Sequence, residues 1–151
     1  MHNQNRKNMI IIIDYGLGNS GSIKNMLARL GIESEISSDL GLISSAEKLI
    51  LPGVGAFDVA MRNLTSSGLV NVLNDCVLHR KVPILGICLG MQVMSEKSEE
   101  GVLPGLGWFK AETVRFQFSH LEQAHLKIPH MGWSEIEYTI PLCSLLPCEN
   151  S

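Results

Sequence analysis

Apolar residues fall along this chain in two patterns, as short continuous runs and as stripes recurring every three or four positions. The first run is Met9-Ile10-Ile11-Ile12-Ile13, closed by Asp14. Continuous β-branched residues predict a strand buried on both faces, as in a parallel sheet. After the turn Asp14-Tyr15-Gly16-Leu17-Gly18-Asn19, the residues Ile23, Met26, Leu27 and Leu30 stand at i, i+3, i+4 and i+7. That spacing predicts a helix packed along one face, with Gly31 where a C-terminal cap glycine belongs. Ile32 to Ile36 predicts a second strand, and Leu49-Ile50-Leu51 a third, ended by Pro52-Gly53. Leu69, Val72, Leu73, Cys76 and Val77 form another helical stripe. Val82 to Ile87 predicts a fourth strand, with a helix starting just after it.

Alternating strands and helices predict an α/β domain with a mostly parallel sheet flanked by helices. Functional groups are then expected at the carboxyl ends of the strands. Beyond about Glu100 the pattern changes. Thr113 to Phe118 and Trp133 to Tyr138 alternate apolar and polar residues, which predicts half-exposed antiparallel strands added to the sheet. Met1 to Asn8 is polar and reads as an extension, with one domain over residues 9–151. Pro147 to Ser151 has a loop composition.

Composition narrows the function. Of 151 residues, 45% are apolar and 18% charged, so a packed core is expected rather than disorder. Twelve Lys+Arg against 15 Asp+Glu leave a net charge of −3 with no basic run. Nucleic acid and anionic membrane are poor partners for such a surface. No apolar run is long enough for a signal core or a membrane span, so a soluble, cytoplasmic protein is expected. The four cysteines, Cys76, Cys88, Cys143 and Cys148, form no C-x-x-C pair, and no histidine follows Met131. Neither a zinc site nor a disulfide framework is expected.

The sharpest chemical feature is Gly86-Ile87-Cys88-Leu89-Gly90, at a strand end and a helix start. It has the form of a nucleophile elbow, where flanking glycines permit a strained turn that pushes the central side chain into open space. Cysteine is the most easily activated nucleophile at neutral pH. The N–H groups at the start of the following helix are candidate donors to an oxyanion. Cys76, on the apolar stripe, reads instead as core. Pro52-Gly53-Val54-Gly55 also lies at a strand end, and its two glycines let the backbone turn an N–H toward the same site. Read alone, that segment is an ordinary turn. Gln92, one helical turn after Cys88, and Glu100 are polar positions that suit either solvent or that pocket.

Five blocks occur in the order of one family. They are Asp14-Tyr15-Gly16-Leu17-Gly18-Asn19, Leu51-Pro52-Gly53-Val54-Gly55-Ala56-Phe57, Gly86-Ile87-Cys88-Leu89-Gly90-Met91-Gln92, Ser98-Glu99-Glu100-Gly101 and Pro129-His130-Met131-Gly132-Trp133. From Met9 to about Leu142 the chain closely resembles the glutaminase subunits of imidazole glycerol phosphate synthase, which are class I, triad-type glutamine amidotransferases. The resemblance implies that Cys88 attacks the side-chain amide carbon of glutamine, giving a γ-glutamyl thioester, ammonia and then glutamate. It implies oxyanion donors at Val54 and Leu89, and a glutamine site drawing on Gly53, Gly55, Gln92 and Glu100. Asn19, His130, Met131 and Trp133 match blocks near the face that meets a (β/α)8-barrel synthase partner in a heterodimer. Ammonia passes through that partner in histidine biosynthesis. No metal or other cofactor is implied.

In the family the other triad members form a His-x-Glu block beyond the segment matching Pro129 to Trp133. No such block follows Trp133 here. The chain therefore reads as about three quarters of an amidotransferase domain, incomplete at its C-terminal side, and is expected to be inactive or unstable alone. His120-Leu121-Glu122 has the spacing but precedes Pro129, and His120 reads as a surface-loop residue. His125 carries no role. Three other readings remain open at this point. One is a glutaminase feeding an amino-sugar enzyme of surface-polysaccharide synthesis, and another is a non-catalytic subunit that only docks. The third is a nucleotide or flavin binder built on the G-x-G-x-x-G spacing of Gly16, Gly18 and Gly21, a weak match on its own.

Overall fold

The computed structural model describes residues 9–117 together with Gly132, Trp133 and Glu135. The chain divides into two compact units, Met1–Arg115 and Phe116–Ser151, and the account below concerns the first. Four parallel strands form its sheet, β1 (Ile10–Ile13), β2 (Ser34–Ser37), β3 (Lys48–Gly53) and β4 (Ile84–Cys88), in the order β2-β1-β3-β4. The helices are α1 (Ser20–Arg29), α2 (Leu40–Ser44), α3 (Phe57–Ser66), α4 (Leu69–Asn74) and α5 (Leu89–Gln92), with a π-helical turn over Asp75–His79. This is the parallel α/β architecture expected from the sequence.

The strand boundaries shift for identifiable reasons. The second strand starts at Ser34 because Ile32 is used to close α1: Gly31 N–H donates to Ala28 O and Ile32 N–H to Leu27 O, the paired bonds of a Schellman motif. The fourth starts at Ile84 because Val82 N–H donates to Cys76 O and finishes the π-helical turn. The third does not stop at Pro52. The β1 ladder on β3 ends at Ile50, so Pro52 and Gly53 pair only with β4, and the missing proline N–H breaks no bond on the β1 side.

One side of the sheet carries the main core. Ile11, Ile13, Leu49 and Leu51 point toward Phe57, Leu64, Leu69, Leu73 and Cys76, all buried. Two helices escaped the sequence reading. Asp39 caps α2 by accepting from Leu42 N–H at 2.6 Å. Phe57, Ala60, Met61 and Leu64 form the buried stripe of α3, at the same spacing as the helices that were expected.

Two expectations need correction. The α1 stripe is not a packed face: Ile23 and Leu27 are half-buried, while Met26 and Leu30 are 63% and 68% exposed. Helix α1 lies over β1 and the short polar edge strand β2 (Ser-Glu-Ile-Ser), which offers little apolar surface to meet. The strand expected from Thr113 is β6 (Glu112–Thr113), and it pairs parallel with β5 (Lys97–Ser98) in a separate two-stranded sheet. Residues 99–111 between them are long enough for a parallel return, which needs about a dozen residues. The rest of the second alternating segment lies outside the described residues.

Candidate functional site

Cys88 is the last residue of β4 and the N-cap of α5, with φ 54° and ψ −119°. A non-glycine residue in this region costs about 1–3 kcal/mol and persists only where its surroundings impose it. Here they do. Helix α5 turns back onto β3 so tightly that a Cβ on Gly90 would run into the Leu51 carbonyl oxygen. Leu89 and Gly90 are buried while Cys88 is exposed. The thiol therefore stands in the open on a rigid base, as the elbow pattern anticipated.

Cys76 is fully buried, with its sulfur 3.6 Å from Ile43 O and from Arg80 Nη1. Burial pushes its thiol pKa up, against an opposing pull from Arg80. It is a core residue, as expected. Cys143 and Cys148 lie outside the described residues.

The register of the sheet builds the rest. Gly53 pairs with Cys88, so the loop leaving β3 runs beside the elbow. Val54 in that loop is 54% exposed, Gly55 has φ 108°, and α3 begins two residues later. The structure thus brings Gly53, Val54, Gly55, Cys88 and Leu89 to the carboxyl ends of two adjacent strands.

Tyr15, at the end of β1, closes this group from below. It is 5% exposed, and its hydroxyl has no hydrogen-bond partner among the described residues. A Cβ on Gly53 would lie 2.5 Å from that hydroxyl and 2.7 Å from Gly90 N. Burial first, and then the charge of Cys88, push the phenol pKa up to about 12. The sequence placed Tyr15 in a turn and gave no sign that its hydroxyl faces both loops.

Gln92 ends α5 and is half-buried. Glu100 is exposed, and its N–H donates to the buried Ser98 Oγ at 3.1 Å. The segment carrying it is fixed to α3: Asp58 Oδ1 accepts from Val102 N–H at 2.9 Å and Leu103 N–H at 3.1 Å. Asp58 was missed by the sequence reading, because its partners lie more than forty residues away.

Asn19 is exposed and caps α1, its Oδ1 accepting from Ser22 N–H at 3.1 Å. Trp133 is fully exposed, while His130 and Met131 lie outside the described residues, as do His120, Glu122 and His125. The Gly16–Gly21 turn is not an open cradle. Gly16 N–H donates to Asp14 Oδ1 at 3.0 Å, and Pro52 and Gly53 fill the space over Gly18, which weighs against a phosphate there. Among the described residues no group of three His, Cys, Asp or Glu could hold a metal, and no helix is long and apolar enough to cross a membrane.

Residues 11–136 match the family model for glutamine amidotransferase class-I. The chain is 54% identical over 132 residues to an imidazole glycerol phosphate synthase subunit HisH 2 of Methanococcus maripaludis, covering 87% of this chain and 63% of that protein. It is 48% identical to the subunit of the same name from Pseudomonas aeruginosa, covering 85% and 61%. A solved glutamine amidotransferase shares the fold, with TM-score 0.57 and 20% identity over 70% of this chain and 56% of that one. The matched part of the chain covers less than two thirds of the length of these curated relatives.

Proposed function

The chain belongs to the class-I glutamine amidotransferase family, and on that premise we propose that it is the nucleophile-bearing part of a glutaminase subunit serving an imidazole glycerol phosphate synthase. The observation that carries this reading is Cys88, exposed at φ 54° and paired in register with Gly53.

Cys88 Sγ attacks the side-chain amide carbon of glutamine. The C=O electrons move to oxygen, and the oxyanion is met by the N–H groups of Val54 and Leu89. Collapse of that intermediate breaks the C–N bond and releases ammonia, which must collect a proton as it leaves. The remaining γ-glutamyl thioester is hydrolysed by water to glutamate and the free thiol. Gln92 and Glu100 hold the amino-acid end of glutamine. A (β/α)8-barrel partner, docking near Asn19, His130, Met131 and Trp133, consumes the ammonia in the cytoplasm.

A general base contributes about 10²–10⁴-fold to such a reaction. The family draws its base from a His-x-Glu block, and no histidine follows His130 in these 151 residues. The described residues, which carry Cys88 and the loops beside it, are expected to form the covalent adduct at Cys88. The test is labelling with 6-diazo-5-oxo-L-norleucine, a glutamine analogue that alkylates the attacking thiol. Mass spectrometry should find the adduct on Cys88, with glutamine slowing its formation. Labelling that glutamine does not slow, or that is no faster at Cys88 than with a simple alkylating agent, would favour a subunit that docks without chemistry.

A further inference from the structure

Asp58 is the second residue of α3, just past the loop Gly53-Val54-Gly55. An acidic side chain there suits the helix dipole, but this one turns away from its own helix. The same oxygen, Oδ1, accepts both the Val102 and the Leu103 backbone N–H. Gly101 is packed against it: a Cβ on Gly101 would collide with Asp58 Oδ1 and lie 3.0 Å from both Asp58 Cγ and Phe57 Cδ1.

At the end of this turn Leu103 is half-buried against the core, while Val102 is almost fully exposed and Glu100 is exposed, so the residues between Ser98 and Leu103 have little packing of their own. The other bonds at Glu100 and Gly101 are internal, from Glu100 N–H to Ser98 Oγ and from Gly101 N–H to Ser98 O. Asp58 thus connects two segments far apart in sequence. One is the start of α3, continuous with the loop beside Cys88, and the other is the turn bearing Glu100.

We propose that Asp58 is a positioning residue for glutamine, its carboxylate fixing the Glu100 turn relative to the Gly53–Gly55 loop through the two backbone bonds to Val102 and Leu103. The inference rests on the reading of this site as a glutamine site. A group misplaced by about 1 Å can cost about a hundredfold in reaction rate. Asp58 itself touches no reacting atom. Its loss should weaken recognition of glutamine and leave the intrinsic reactivity of the thiol alone.

The experiment compares the full chain with Asp58→Ala, Asp58→Asn and Gly101→Ala, using two electrophiles and amide hydrogen exchange. For Asp58→Ala, the saturable reaction of Cys88 with 6-diazo-5-oxo-L-norleucine should weaken by about ten- to a hundredfold. Its reaction with iodoacetamide should stay within about twofold of the unsubstituted chain, since Asp58 lies outside the elbow. Exchange at residues 100–103 should quicken. Asp58→Asn keeps an oxygen that accepts both bonds and should restore saturation and slow exchange. Gly101→Ala should reproduce the alanine variant by pushing the carboxylate aside.

An unchanged saturable reaction in Asp58→Ala overturns the proposal, as does unchanged exchange at 100–103. Failure of Asp58→Asn to rescue also overturns it, because charge rather than the two bonds would then be responsible. If the unsubstituted chain shows no saturation at all, the glutamine reading fails and takes this proposal with it. That outcome is separate because it appears before any substitution is made.

Discussion

Cys76 and Cys88 are two free thiols in the same unit, each beside a helical segment. Cys76 sits on the first turn of the π-helical segment and faces Ile43 and Arg80. Its backbone is relaxed and its environment dry. Cys88 has a backbone conformation that glycine would adopt more easily, and it faces outward. The core has placed one thiol where packing is best. At the other, neighbouring elements hold an unfavourable backbone in exchange for access. Chemistry is thus separated from stability within one residue type, by the strand end rather than by the side chain.

The largest expected effect breaks this contrast at its chemical pole. Cys88→Ala should abolish covalent labelling by the glutamine analogue, while Cys76→Ala should leave the labelling rate at Cys88 unchanged. Intact-mass spectrometry of both variants reads the difference. An adduct persisting in Cys88→Ala would move the nucleophile elsewhere.

The next effect concerns Tyr15, beneath the elbow. Its phenol ionises near 10 in the unfolded chain and at about 12 in the fold. The neutral form is favoured by folding, so its stabilisation is complete below pH 10 and is lost as pH rises through 12. Two units correspond to roughly 2–3 kcal/mol. Cys76, whose pKa is also raised, acts in the same direction. The comparison with Tyr15→Phe isolates the phenol: the variant should lose less stability between pH 10 and 12 in urea titrations. Parallel curves would mean that the hydroxyl is solvated after all.

Two smaller effects sharpen the comparison. Cys76→Ala should lower stability by about 0.5–3 kcal/mol, the usual range for loss of a buried contact. Cys88→Gly should raise it by about 1 kcal/mol through relief of the positive φ, offset in part by the entropy of a glycine in the unfolded chain. Thermal unfolding of the pair reads both signs. A destabilised Cys88→Gly would show that the elbow is not under strain.

Legibility from sequence followed the range of the interactions. The strands at Ile10–Ile13 and Lys48–Gly53 announce themselves as apolar runs, and the elbow needs only Gly86, Cys88 and Gly90 to be recognised. Helix α3 has the same spacing in Phe57, Ala60, Met61 and Leu64, but its first apolar position directly follows the glycine loop, with no side-chain cap to mark the start. The exposure of Met26 and Leu30 was not readable, because periodicity reports an apolar face and not what meets it. Parallel pairing of β5 with β6 depends on the course of the intervening chain. Asp58 and the Tyr15 hydroxyl belong to the site only through contacts made in the folded chain.

The pairing of Gly53 with Cys88 has a consequence for how such a gene can change length. Side chains alternate between the faces of a strand, so a one-residue slip turns every inward group outward. A single-codon deletion in β3 or β4 would therefore reverse the core face formed by Leu49 and Leu51 or carry the thiol away from the Gly53–Gly55 loop. The exposed turn at Gly31 carries no such constraint from the sheet ladder. Among descendants of this sequence, insertions and deletions should collect in that turn and be purged from the two central strands, even where nearly every side chain has been replaced.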